Sequence, residues 1–296
     1  MSSLHGSPPL RGDSGLNTPG GPDDGRRAKL NSAIGSIIGF IAKQSQRQGI
    51  LVGNPGATSN VSPSRWERFA TEHSRKYIMT GVEPGDDQSF WQSGQNTVSG
   101  ELLPLMERYA VNSGCAVEVG CGIGRLAIPM AGHVQKMMGI DVAPAMVRQA
   151  QHVAEERSVN NIRFLAFALP AKAPDELKDL FGRTDFLYSL LVFQHVEDFG
   201  VIEGFISLTR SLLSPSGIAY LQFDTRPKTL PYRLKTALPD FVLPWFLRRG
   251  IRRIRRRPAE LENCFARNEL SIAEERTPRS AYHCYLLRRP KEGNGD

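Results

Sequence analysis

From Ala116 to Arg125 the chain reads AVEVGCGIGR, with Gly120, Gly122 and Gly124 at alternate positions behind a run of strand-forming residues. Glycine tolerates positive φ and lets a ligand press against bare backbone. A helix starting directly after it turns unpaired N–H groups toward an anion. Asp141 ends the next apolar run, 17 residues after Gly124. A carboxylate there can accept hydrogen bonds from two ribose hydroxyls at once. The plainer reading is a tight β–α turn, with Asp141 capping the helix before Pro144. The dinucleotide fingerprint G-x-G-x-x-G does not fit, because here the third glycine comes one residue sooner and an acid, Glu118, precedes the loop.

The elements that would position these residues alternate in type. Strands are expected at 115–119, 136–141, 162–168, 185–191 and 218–223, with two closing strands at 270–275 and 281–288. Helices are expected at 124–132, 143–158, 175–181 and 198–213, and another begins at Pro258, where proline suits a first turn. In the helix at 143–158, Met146, Ala150, Val153 and Ala154 share one face. Strands alternating with helices imply right-handed crossovers and a mainly parallel sheet, so the class is α/β. The glycine loop and Asp141 then fall at the carboxyl ends of adjacent strands, the usual ligand crevice of such sheets.

The E-x-G-x-G-x-G loop, the acid in GIDVAPAMV, SLLVFQHVEDF after the fourth strand and SLLSPSGIAYLQF together resemble the class I S-adenosylmethionine-dependent methyltransferases over roughly residues 101–289. The resemblance implies a seven-stranded, mainly parallel Rossmann-like sheet with helices on both faces, and S-adenosyl-L-methionine as cofactor. It places Gly120, Gly122 and Gly124 beneath the methionine portion, with Glu118 orienting it directly or through water. Asp141 would hold the ribose, Val142 or Met146 would touch the adenine, and Leu190 to Val192 would border the sulfonium. Many relatives carry an acid after strand three. Here Phe167-Ala-Leu-Pro170 stands there, so backbone groups and apolar contact would hold the adenine.

Methyl transfer is an in-line displacement, which asks the protein to align the nucleophile and exclude water. An alcohol must also lose a proton. His195, just past strand four, is the candidate general base, with Glu197 or Asp198 to orient it. A loop histidine that caps the next helix or shapes the pocket is the equal alternative. The chain lacks the Asp/Asn-Pro-Pro-aromatic motif of exocyclic-amine methylation and the Pro-Cys nucleophile of cytosine methylation, so hydroxyl acceptors lead: a small molecule or a glycan. No histidine or carboxylate grouping has metal-ligand spacing.

Additions to the core would choose the acceptor. A lid is expected at 64–98, with Ser64 as helix cap and Trp66, Phe90 and Trp91 as its apolar residues, within a methyltransferase domain spanning 64–290. An insertion at 224–257 offers Asp224, Arg226 and Tyr232 to a hydroxylated ligand. Leu243, Leu247, Ile251 and Ile254 give an apolar stripe, so 243–257 reads as a basic amphipathic helix, able to meet RNA phosphates or an anionic membrane surface. Hence two further readings stand beside the enzyme acting on a hydroxyl: an RNA methyltransferase using the Arg248–Arg257 helix, and a catalytically silent cofactor-binding module.

Of 296 residues, 40% are hydrophobic and 23% charged, enough apolar material for a core. The net charge of +7 equals the seven arginines of 248–257, so any pull on polyanions is local. Residues 1–63 read as a disordered tail, with a short helix at 28–48 and a linker at 49–64, and 291–296 as a second tail. The ten-residue run Ala33–Ala42 is too short to span a bilayer, which needs about 20 residues. Four cysteines without C-x-x-C spacing point to a reducing compartment, and the expected location is cytoplasmic.

Overall fold

The computed structural model describes Trp66, Glu67, Ala70 and residues 87–169, 171–244, 248 and 251–290. The expected helix at 28–48, the linker, the Ser64 cap and both tails lie outside these residues.

The first full helix, α1 (Asp87–Thr97), runs through a π turn (Val98–Leu102) into α2 (Leu103–Arg108). Pro104 near the start of α2 has no N–H to continue an unbroken ladder, and a π turn is one way a helix absorbs that defect. The chain then alternates through β1 (Cys115–Val119), α3 (Ala127–Ala131), β2 (Lys136–Asp141), α4 (Pro144–Glu156), β3 (Ile162–Ala166), α5 (Asp175–Lys178) and β4 (Thr184–Ser189). It continues with α6 (Phe199–Leu212), β5 (Leu213–Phe223), α7 (Leu230–Ala237), α8 (Pro258–Arg267), β6 (Ser271–Arg276) and β7 (His283–Arg288).

The sheet order is β3-β2-β1-β4-β5-β7-β6, parallel through β5. β7 enters antiparallel between β5 and β6, pairing Ile218 with Arg288 and Phe223 with His283. This is the expected seven-stranded α/β architecture. The order reverses beside β1, so β1 and β4 open a crevice at their carboxyl ends.

Both sheet faces are covered. On one, Val117, Val119, Ile140, Phe193, Phe205 and Phe223 pack with α6 and α8; on the other, Ala116, Met130, Met137, Phe186, Tyr188 and Tyr220 pack with α2 and α3. Period-two alternation along β1 sends Val117 and Val119 to one side and Ala116 to the other. Each fully buried large side chain contributes about 2 kcal/mol by apolar burial. The four cysteines are free and buried.

The basic helix expected at 243–257 is corrected. Among the described residues of that segment there is a turn at Arg248–Arg252 and an extended stretch to Arg257, with an isolated parallel bridge between Asp224 and Arg255. Pro244 and Gly250 disfavour a helix, and four of the arginines are engaged one by one with carbonyl oxygens of other segments. Arg252 donates to Thr236, Arg253 to Ala281, Arg255 to Pro227, and Arg256 to both Val196 and Glu197. The Arg256 bonds knit the insertion to the rim after β4. The apolar spacing recorded individual packing contacts, Leu243 among the buried ones, and not a continuous helical stripe.

Candidate functional site

Gly120, Gly122 and Gly124 all take positive φ, at 77°, 55° and 87°. A side chain on Gly120 would run into Val192, and one on Gly124 into Ile128 and Phe164, so glycine is required at both for sterics as well as conformation. The loop is pinned to β2 because Gly120 N–H and Cys121 N–H both donate to the Ile140 carbonyl oxygen, at 2.7 and 3.0 Å.

Asp141 joins the two walls of the crevice. Its Oδ2 accepts from Gly122 N–H at 2.8 Å and its Oδ1 from Ala143 N–H at 2.9 Å. Burial raises its pKa, and the amides of Ala143, Gly122 and Val142 work against that rise. An ionised carboxylate has about four acceptor sites, so each oxygen keeps a lone pair for a ligand hydroxyl.

Glu118 lies underneath the loop, only 3% exposed. It faces the side of β1 that carries Ala116, and the Tyr188 hydroxyl donates to its Oε2 at 3.3 Å. Burial pushes its carboxyl up to about 8, against the Arg125 charge and the Tyr188 hydrogen bond. Arg125 is itself buried and donates to Ser93 Oγ on α1 at 3.3 Å. Tyr188 and Arg125 were absent from the expected site. No spacing signals Tyr188, which is 70 residues away in sequence, whereas Arg125 directly follows the glycine motif.

The N-terminal strap lies against the crevice. Glu67 Oε2 accepts from Ala145 N–H at 2.8 Å, its Oε1 pairs with Arg148 at 3.1 Å, and Gln149 donates to the Ala70 carbonyl oxygen at 2.8 Å. Trp66 and Ala70 pack with Ile123 of the loop and with Ala143, Ala145 and Met146 at the start of α4. Met146 is thereby buried beside the loop, while Val142 stays partly exposed. Trp66 also meets the His195 ring edge-on, with centroids 5.8 Å apart.

The turn after β4 forms the far wall. Ser189 Oγ donates to the Val119 carbonyl oxygen at 2.9 Å, tying β4 to β1. Leu190 packs partly buried with the Ala116 side of the core. Leu191 holds φ at 63°, rare for a residue with a Cβ, and its N–H donates to Gln222 Oε1 at 3.0 Å. A 3₁₀ turn (Phe193–His195) follows. His195 Nε2 lies 3.1 Å from Gln194 Nε2, and burial, then the Arg253 charge, lower the ring to about 4. Asp198, and not His195, caps α6 by accepting from Gly200 N–H at 2.8 Å.

The insertion residues serve one another. Asp224 is fully buried and accepts from Arg226 Nε and Nη2 at 3.0 and 2.5 Å, while Tyr232 Oη accepts from Arg255 N–H at 3.0 Å. Of the three, Arg226 is the charged group with part of its side chain in solvent. The site therefore gathers Glu118, the glycines, Asp141, Val142, Met146, Leu190 and His195 around one crevice, with Asp224, Arg226 and Tyr232 in the insertion bonded to its rim.

These residues fit S-adenosylmethionine. The loop bares backbone at three left-handed glycines, and Asp141 keeps acceptor capacity for ribose. Gln194 Oε1 and Glu197 Oε1 are buried without hydrogen-bond partners on the wall where the reacting groups would lie.

Comparison with known proteins agrees. Residues 116–217 match the family described as a methyltransferase domain. A ubiquinone biosynthesis O-methyltransferase of Azorhizobium caulinodans is 32% identical over 149 residues, 49% of this chain and 54% of that protein. The chain thus spans little more than half the length of the curated relatives it matches. A magnesium protoporphyrin IX methyltransferase from Synechocystis, solved with bound S-adenosylmethionine, shares the fold with a TM-score of 0.52 and 20% identity over 80% of this chain and 100% of that one. An S-adenosylmethionine-dependent methyltransferase from Clostridium acetobutylicum gives 0.53 and 12%, over 76% and 99% of the two chains. Residues 116–217 thus match a methyltransferase domain, and the chain shares the fold of solved S-adenosylmethionine-dependent methyltransferases.

Proposed function

We propose that the chain transfers a methyl group from S-adenosylmethionine to a hydroxyl of a small molecule, with a glycan hydroxyl as the wider form of the same chemistry. One observation carries the reading: the crevice formed by the glycine loop and Asp141 ends at a wall bearing the His195 ring, edge-on to Trp66. The O-methyltransferase name of the curated relatives supports an oxygen acceptor.

Bound in the crevice, the cofactor supplies an electrophilic methyl group on a positively charged sulfur. Asp141 would hold the ribose with its remaining lone pairs, Val142 and Met146 would border the adenine, and Leu190 would line the side toward the methyl group. Glu118, protonated through burial, keeps the loop in place from beneath. His195 would take the proton that the acceptor hydroxyl loses when it is methylated. With its pKa near 4, His195 is unprotonated at neutral pH. Its Nε2 accepts from the Gln194 amide at 3.1 Å, so it would take the acceptor's proton only as that amide gives way, and as a weaker base than one poised near pH 7. The Asp224–Arg226 pair and Tyr232 hold the insertion over the rim and present Arg226 to the acceptor.

The test is incubation with methyl-labelled S-adenosylmethionine and fractionated extract of the source cell, followed by mass spectrometry of the labelled product. Label on an oxygen is expected; label on nitrogen or carbon, or none, would refute the assignment. His195→Gln should lower kcat about 100-fold or more while leaving affinity for S-adenosylhomocysteine unchanged. Unchanged turnover across the pH profile would remove His195 as the proton acceptor.

A further inference from the structure

Residues 224–257 hold eleven Lys and Arg against two acids, Asp224 and Asp240, an excess larger than the net +7 of the whole chain. Several of those arginines are committed to carbonyl oxygens, as described above. Lys228, Arg233 and Lys235 are exposed and make no ion pair among the described residues.

These cations flank an unusual apolar face. In α7, Tyr232 and Thr236 are half-buried, the Tyr232 hydroxyl accepting from the Arg255 N–H and the Thr236 main-chain carbonyl from Arg252. Leu230 and Leu234, one turn apart, point the other way at 68% and 48% exposure. Phe241 in the next turn is 75% exposed, and Tyr282, under the Arg253 guanidinium, is exposed beside the same insertion. Four of the five large apolar side chains most exposed among the described residues therefore cluster here, and no residue of α7 is buried.

We propose that α7 and the turn after it dock the protein on an anionic lipid bilayer. Leu230, Leu234 and Phe241 enter the boundary between headgroups and acyl chains, about 5–10 Å deep, while Lys228, Arg233 and Lys235 meet lipid phosphates. Charge complementarity with apolar tips selects this occupant. Aliphatic leucines gain little from a nucleic acid, whose bases stack on aromatic rings, and the cationic flank repels a second copy of itself. The insertion is bonded to the rim that carries His195, because Ile254 N–H donates to the Gln194 carbonyl oxygen at 2.7 Å. Docking through α7 thus brings the crevice to the membrane surface. The proposal stands independently of which acceptor is methylated.

Co-sedimentation of the full chain with phosphatidylcholine vesicles, with and without phosphatidylglycerol, tests it. Binding to the mixed vesicles alone is expected. A Leu230→Ser, Leu234→Ser, Phe241→Ser triple variant should lose that binding with an unchanged melting temperature, since all three side chains are exposed. An Arg233→Gln, Lys235→Gln variant should bind about thirtyfold more weakly. Absence of wild-type binding, equal binding to neutral vesicles or full binding by the triple variant would overturn the proposal. So would self-association in sedimentation velocity that the triple variant abolishes without any vesicle binding, or RNA binding that survives the triple variant while vesicle binding is absent.

Discussion

Asp141 bonds two backbone amides of its own chain before any ligand arrives, so its removal has two separable costs. Asp141→Ala leaves Gly122 N–H and Ala143 N–H without their acceptor, at about 1–3 kcal/mol each where buried, and also deletes the ribose contact. The expected outcome is a lower melting temperature together with at least about 100-fold weaker S-adenosylmethionine binding by isothermal titration. Equal affinity in variant and wild type would place the ribose elsewhere. Leu191 gives a second residue-level test. Its positive φ costs about 1–2 kcal/mol and is retained by packing and by Gln222 Oε1. Gln222→Ala should therefore destabilise the domain by about 1 kcal/mol or more in urea titration. Combining it with Leu191→Gly should recover part of that loss, because glycine needs no such restraint.

Glu67 latches the strap to α4 through Ala145 N–H and Arg148. Trp66 and Ala70 rest on the loop, on Met146 and on His195, and the lid reading of 64–98 predicts that this latch slows product release. Glu67→Ala should speed S-adenosylhomocysteine release about fivefold, the equivalent of about 1 kcal/mol for a half-exposed charged latch. Stopped-flow fluorescence of Trp66 reads the rate, and an unchanged rate would deny the strap that role. Elements of this kind divide by how local their signals are. The bounds of β1 and β2 could be read from the sequence because short parallel strands, buried throughout in β1 and in all but the end residues of β2, lie between glycine-rich and polar turns. Glycine spacing and Asp141 likewise disclosed the crevice, since both report on nearby backbone. Segment 243–257 misled because arginine stems between apolar residues imitate helical amphipathicity, while the guanidinium groups of Arg252, Arg253, Arg255 and Arg256 answer distant carbonyls. The Glu118–Tyr188 contact and the Glu67 latch stayed hidden for the same reason: they join residues 70 or more positions apart, and no local period encodes them.

Across the whole molecule, two buried groups pull stability in opposite directions with pH. Glu118 has a folded pKa of about 8 against an ordinary 4.5, so the folded state prefers it protonated. Its contribution is complete below about 4.5 and is lost as pH rises through 8. His195 is held at about 4 against 6.5, so the folded state prefers it neutral, and its contribution is complete above about 6.5 and lost as pH falls through 4. Between about pH 4.5 and 6.5 the two slopes oppose each other and the wild-type stability profile is shallow, whereas from about 6.5 to 8 only Glu118 titrates and stability falls as pH rises. Glu118→Gln keeps a neutral, hydrogen-bonding side chain beside Tyr188 and removes only the titration. Its melting temperature should gain on the wild type steadily from about pH 5 to pH 8, whereas His195→Gln should gain on the wild type as pH falls from about 6.5 to 4. Melting curves of the three proteins in one buffer series separate the effects. Parallel Glu118→Gln and wild-type profiles would mean that Glu118 is already ionised in the fold, stabilised by Arg125 more than burial opposes it, and the loop would then rest on a buried charge pair.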